Sequence, residues 1–132
     1  MSTPYTPSGS QYDAGAAAAV ISRAVDSPGG PGMVVAVMAS LPAAGHTPAR
    51  KGRFRSSPER VQLGSWRYQV GADGRLQASH VVGGIVLAEQ ALSPDTAGEH
   101  VAAAIAEHIA GHGSQVRPYV ESMLTVLDVT AG

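Results

Sequence analysis

The 132-residue sequence contains no cysteine, few charged residues and few aromatic side chains. The absence of cysteine excludes disulfide bonds, thiolate nucleophiles and cysteine-ligated zinc. Charged residues make up only 14% of the chain and the formal net charge is −1. The sequence as a whole therefore does not favour binding to nucleic acid or to an anionic membrane. With 44% hydrophobic residues, we expect some apolar surface that a partner buries.

Long hydrophobic runs are also missing. No stretch approaches the roughly 20 apolar residues that cross a bilayer, and the start, MSTPYTPSGSQ, has neither the basic nor the apolar region of a secretory signal. We therefore expect a cytoplasmic protein that does not enter a membrane. Residues 1–9 have almost nothing to bury, which predicts a disordered tail before a single domain at 10–129.

The first half of this domain is predicted to contain one helix and one strand. Apolar residues at helical spacing predict a helix over about residues 11–26, and SPGGPG at 27–32 ends it. The run MVVAVMASL at 33–41 is apolar on both alternating faces, which predicts a buried strand. Residues 42–58 have no periodicity, three prolines and a basic stretch, which predicts a mobile loop.

A long hairpin is predicted next. Strand alternation changes phase at Gly64-Ser65, which indicates a β-bulge, and GADGR at 71–75 supplies a hairpin loop. We interpret residues 60–71 and 75–90 as its two strands, bent at Gly83-Gly84. In the alternative interpretation, Gly83-Gly84 is itself a two-residue turn that creates a fourth strand.

Two helices complete the predicted fold. Ser93 as N-cap and Pro94 in the first turn begin one helix, which Gly111 and the residues after it end. Apolar residues at helical spacing over 116–127 predict the other. The fold class is therefore α+β, with an N-terminal helix, a three-stranded antiparallel sheet containing a long bent hairpin, and two C-terminal helices.

This layout leaves part of the sheet without cover. Three short helices cover one face of a three-stranded sheet, yet the predicted strand at 33–41 is apolar on both faces. A second copy that presents the same patch is the commonest remedy. We therefore expect a homodimer through a sheet face, with Trp66, Tyr68 and Val70 as interface candidates.

The histidines are the first candidates for chemistry. His108 and His112 are four residues apart on a predicted helix and share a face with apolar residues. Such a pair binds zinc when further ligands are present, and only His80 on the hairpin offers a third. We favour a structural role, with His108 half-buried and bonded to a backbone carbonyl or a sheet residue. His112 would lie at the favourable end of the helix dipole.

The basic stretch ARKGRFRSSPER is the second candidate site. Arginines around an aromatic ring contact phosphates and stack on bases. Its candidate polyanion-binding residues are Arg50, Lys51, Arg53, Phe54, Arg55 and Arg60. Cations on a loop are more often solvated than bound to a ligand, so we favour an exposed, solvated loop over a polyanion site.

Catalytic motifs are not recognisable in the sequence. It contains no G-x-S-x-G, no H-E-x-x-H and no phosphate-binding glycine loop. We therefore predict no catalytic residues and no cofactor. The leading hypothesis is a non-catalytic assembly or binding module that forms a homodimer. The alternatives are a small-ligand or metal-binding protein using His80, His108 and His112, and a polyanion binder using the 50–60 loop.

Overall fold

The computed structural model describes residues 12–53 and 56–131 and shows an α+β fold. In chain order the elements are α1 (Ala14–Asp26), α2 (Gly30–Met38), β1 (Gly45–Thr47), β2 (Arg50–Lys51), β3 (Ser56–Ser57), β4 (Arg60–Leu63), β5 (Trp66–Val70), β6 (Leu76–Val82), β7 (Ile85–Leu92), α3 (Pro94–His112) and α4 (Arg117–Ala131). A 3-10 turn, Ser114–Val116, joins α3 to α4. The predicted α+β class and the two C-terminal helices are confirmed.

The sheet is larger than predicted. In the described part of the chain, five strands form one antiparallel sheet in the order β1-β4-β5-β6-β7, and β2 pairs with β3 in a second, two-stranded sheet. The predicted count of three strands is therefore wrong. The segment 42–58, predicted as a loop, contains β1, β2 and β3. No alternation marks these strands because each has only two or three residues and almost all of them are exposed. The mobility of this segment stays a prediction.

The segment predicted as the first strand is a helix. Residues 33–38 belong to α2, which begins at Gly30 and has a proline in its first turn. The helix packs between α1, α4 and strands β4 and β5, so apolar residues suit most of its circumference. A short helix buried in this way has the same continuous apolar pattern as a buried strand.

Gly64-Ser65 and Gly83-Gly84 both form turns between strands. Gly64-Ser65 joins β4 to β5 as a two-residue loop, so the bulge predicted there is wrong. Gly83 and Gly84 have φ angles of 59° and 79°, which suits a type I′ turn between β6 and β7. The alternative interpretation of Gly83-Gly84 is therefore the correct one. A bulge does occur further on, where the β6–β7 register shifts between His80 and Val81.

Local capping signals position the helices. The Ser93 side chain accepts a hydrogen bond from the backbone N–H of Thr96, which confirms the predicted start of α3. Asp13 caps α1 in the same way, with its carboxylate accepting from the N–H of Ala16. The predicted tail at residues 1–9 lies outside the described residues.

The helices cover one face of the main sheet. Helix α2 contacts β4 and β5, helix α3 contacts β4 and β7, and α1 packs behind against α2, α3 and α4. The opposite face of the sheet, called the outer face below, carries mainly polar side chains: Thr47, Arg60, Gln62, Arg67, Gln69, Gln77, Ser79 and Glu89. A polar face needs no apolar cover. Within residues 12–53 and 56–131, no helix has the length and apolar character to cross a membrane.

Candidate functional site

The three predicted interface residues lie on the covered face of the sheet. Tyr68 is completely buried, and Trp66 and Val70 are partly buried against the same core. Helices of the same chain provide this cover, so these side chains do not form an open apolar surface. The sheet-face dimer depended on counting 33–41 as a strand, and that segment supplies a covering helix instead.

A hydrogen bond connects this face of the sheet to helix α3. The Tyr68 hydroxyl lies 2.8 Å from Nδ1 of His100, and the Trp66 ring meets the His100 ring edge-on at a centroid distance of 4.3 Å. Burial lowers the pKa of His100 below its usual value and raises that of Tyr68. His100 is therefore favoured as the neutral ring, and in the tautomer protonated at Nε2 its Nδ1 accepts a hydrogen bond from the Tyr68 hydroxyl.

We expect the fold to lose stability as pH falls below about 6.5, the ordinary pKa of histidine. Because the pKa of His100 is lower in the folded state, the unfolded chain takes up the proton first. The contribution is complete above the unfolded pKa and is lost as pH falls toward the folded one. His100→Asn keeps an acceptor near the position of Nδ1 but cannot titrate. Urea midpoints measured between pH 5 and pH 8 should fall less steeply for this variant, and identical profiles would contradict the assignment.

The structure does not bring the three candidate metal ligands together. His80 stacks on Trp66 at a centroid distance of 4.8 Å, whereas His108 and His112 contact each other at 4.4 Å. Among the residues that the structure describes, no group of three or more histidine, aspartate or glutamate side chains is arranged to hold a metal ion. Geometry thus offers no support for a site that uses all three histidines.

His108 has the structural contact expected from its position on the helix. Its Nε2 lies 2.7 Å from the carbonyl oxygen of Pro42, so the ring donates to a backbone acceptor between β1 and α2. The side chain is buried rather than half-buried. His112 lies in the last turn of α3, and its Nδ1 is 3.0 Å from the His108 carbonyl oxygen. The predicted bond from His108 to a backbone carbonyl is confirmed.

The basic stretch is divided between two sheets. Arg50 and Lys51 form the exposed strand β2, and Arg53 is exposed beside it. Arg60 is half-buried on β4 and belongs to the outer face of the main sheet. Phe54 and Arg55 lie outside the described residues, so stacking of Phe54 on a base stays a prediction.

Strand β7 is the most exposed apolar element of the described chain. It forms one edge of the main sheet, and seven of its eight residues are exposed. Four large apolar residues lie at or next to the Gly83-Gly84 turn that precedes it. Their exposed fractions are 50% for Val82, 65% for Ile85, 40% for Val86 and 60% for Leu87. Most soluble proteins protect such an edge with charge, proline or a covering element.

Sequence reasoning missed two of these features. His100 lies off the apolar stripe of α3, and its contact with Tyr68 depends on how the helix lies over the sheet. The apolar edge was missed because Ile85 and its neighbours were assigned to the far end of a bent hairpin strand. The signal for β7 in the sequence is the pair of consecutive glycines, which is typical of a type I′ turn.

Comparison with known proteins adds a family but no activity. No curated protein and no solved structure matches this chain. A family model described as a domain of unknown function (DUF5073) matches residues 9–129. The match includes every strand and every helix, apart from the last residues of α4. The chain therefore belongs to the DUF5073 family.

Proposed function

We propose that the protein is a non-catalytic assembly module that forms a homodimer through strand β7. The observation that carries this proposal is the open edge of the main sheet, where an eight-residue strand is exposed over seven residues. Unpaired backbone N–H and C=O groups along such an edge can bind a further strand. A cytoplasmic location, predicted from the sequence, is part of this proposal.

The two edges of the sheet differ in their capacity to pair. Strand β1 at one edge has only three residues, Gly45–Thr47. Strand β7 at the other edge has the sequence IVLAEQAL, which contains no proline and no lysine and has Glu89 as its one charged residue. The features that usually prevent edge-to-edge pairing are therefore few on β7. The bulge in its register with β6 is the exception.

A second copy of this chain is the occupant that the edge fits best. Antiparallel pairing about a two-fold axis at the middle of β7 places Ile85 and Val86 of each copy opposite Leu92 and Ala91 of the other, so the apolar residues of the edge meet apolar neighbours. The formal net charge of −1 produces little repulsion between copies. Pairing would join two five-stranded sheets into one continuous sheet and remove both long edges from solvent.

The oligomeric state tests this proposal. Light scattering at micromolar concentration should report twice the chain mass for the wild type. Leu87→Asp places a charge in the apolar edge and should reduce the mass to that of one chain. Val129→Asp is the matched control because Val129 is an exposed apolar residue on α4; this variant should stay dimeric. A monomeric wild type, or a dimer that only Val129→Asp dissociates, would contradict pairing through β7.

The absence of cysteine allows a second, geometric test. A disulfide forms only between Cα atoms about 4.4–6.8 Å apart, so a single cysteine introduced on β7 reports its distance from the same strand of a partner. Mild oxidation should cross-link at least one member of a series that places cysteine at Ala88, Glu89 or Gln90. Ala103→Cys, at an exposed position of α3, is the control and should stay uncross-linked. Failure of the whole β7 series alongside a measured dimer would place the interface elsewhere.

A further inference from the structure

The outer face of the main sheet contains a small polar cavity near its β1 edge. The cavity has a volume of about 280 Å³, and the side chains of Thr47, Arg60, Gln62 and Arg67 contribute to its lining. Thr47 pairs directly with Arg60 between β1 and β4, and Gln62 pairs directly with Arg67 between β4 and β5. All four therefore point to the same side of the sheet.

The two arginines are diagonal neighbours on this face. Arg60 is opposite Gln69, and Arg67 is two residues before Gln69 on the same strand. Such diagonal positions on an antiparallel pair are about 7–8 Å apart, within reach of long side chains. The two guanidinium groups can therefore approach one small ligand from both sides.

The Nε–H groups of both arginines lack an acceptor within the described chain. The Nε atoms of Arg60 and Arg67 are both buried from solvent and have no hydrogen-bond partner there. Arg23, His46 and Arg75 form ion pairs with carboxylates at other places in the described chain. A shielded donor on a charged group is costly without an acceptor, so an anion that accepts from both Nε–H groups would be stabilised in this cavity.

The neighbouring carboxylates have other partners. Glu59 is next to Arg60 in sequence, but its Oε2 lies 2.7 Å from Nε2 of His46. Glu89 accepts a hydrogen bond from Ser79 on β6. Strand β6 lies between Glu89 on β7 and Arg67 on β5. No carboxylate of the described residues is thus hydrogen-bonded or ion-paired to either arginine.

We infer that this cavity binds a phosphate group between the guanidinium groups of Arg60 and Arg67, with the Thr47 hydroxyl as a further donor. Each guanidinium presents a planar fork of N–H groups that pairs with two oxygens. One fork already satisfies the two oxygens of a carboxylate, whereas a phosphate has enough oxygens for both. This site lies on the sheet rather than on the basic stretch around β2, and Arg67 and Thr47 are not part of that stretch.

Arginine Nε–H signals in NMR spectra give a direct readout for inorganic phosphate. The Arg60 and Arg67 signals should shift and saturate with phosphate, but not with chloride at matched ionic strength. Arg60→Gln or Arg67→Gln should weaken binding about tenfold each, and lysine at either position should restore little because it lacks the fork. Arg75→Gln is the control because Arg75 is exposed in the β5–β6 loop. The absence of a saturable shift, or an equal loss in the Arg75 variant, would overturn the assignment.

A second measurement distinguishes a free phosphate from one carried by a nucleic acid. A nucleoside monophosphate and a short single-stranded RNA are titrated into the wild type and into the Arg60→Gln/Arg67→Gln variant. Binding of either one that needs both arginines supports the site and identifies the source. RNA binding that survives this double substitution but is lost in Arg50→Gln/Lys51→Gln, with no phosphate effect on Arg60 or Arg67, would overturn the site in favour of the basic stretch.

Discussion

Replacing Gly98 by alanine is expected to lower the free energy of unfolding by about 3 kcal/mol, the upper range for inserting a methyl group into a packed interface. A Cβ at this position would lie 1.9 Å from Oγ of Ser22 and 2.3 Å from the carbonyl oxygen of Ala18. The Ser22 side chain can rotate away, but the Ala18 carbonyl belongs to the backbone of α1. The two helices, which form the most extensive contact between elements of the fold, would have to separate.

Gly111 provides a matched control in the same helix. It is exposed and a Cβ there would meet nothing within 4 Å. Alanine should therefore raise stability by up to about 1 kcal/mol, because glycine is the poorer helix former. Urea denaturation of both variants should show midpoints displaced in opposite directions from the wild type. A neutral or stabilised Gly98→Ala variant would mean that α1 and α3 do not approach each other as closely as described.

Replacing Tyr68 by alanine is expected to cost about 4 kcal/mol, the usual range for truncating a buried aromatic residue. The side chain is completely buried on β5, under the helices that cover the sheet. Tyr68→Phe keeps the ring and removes only the hydroxyl that meets His100. That variant should cost about 1 kcal/mol, because one hydrogen bond is lost and the ring nitrogen loses its donor.

Tyr119 is the reference for these two variants. It is an exposed tyrosine on α4, so Tyr119→Ala should change the free energy of unfolding by no more than about 0.5 kcal/mol. Thermal and urea unfolding of all three proteins provide the comparison. If Tyr68→Phe costs as much as Tyr68→Ala, the hydroxyl contact rather than ring burial dominates at this position.

Local signals in the sequence were sufficient for several elements. Helix α3 begins at Pro94 and ends at His112 because the signals at each end are local: Ser93 and Pro94 at the start, and Gly113 at the end. The GADGR loop likewise determines that Val70 pairs with Leu76. These features were predictable because each depends on side chains close together along the chain.

Other elements depended on what surrounds them. The run at 33–38 is helical because α1, α4 and the sheet enclose it, and no local pattern distinguishes that environment from the interior of a sheet. The Gly83-Gly84 pair is compatible with a bend or a turn. It forms a turn because Ile85 and the residues after it pair as an antiparallel strand with β6.

The candidate sites required tertiary structure most of all. The sequence by itself determined the residue types available for binding, excluded cysteine chemistry and identified the hydrogen-bonding role of His108. Its acceptor, the Pro42 carbonyl, is 66 residues away in sequence, and Tyr68 is 32 residues from its partner His100 on α3. Pairing of β4 with β5 brings Arg60 beside Arg67, and strand order decides that β7 is left at an edge. Such contacts arise from the packing of whole elements, because burial and charge proximity are properties of the assembled sheet and helices rather than of any one segment.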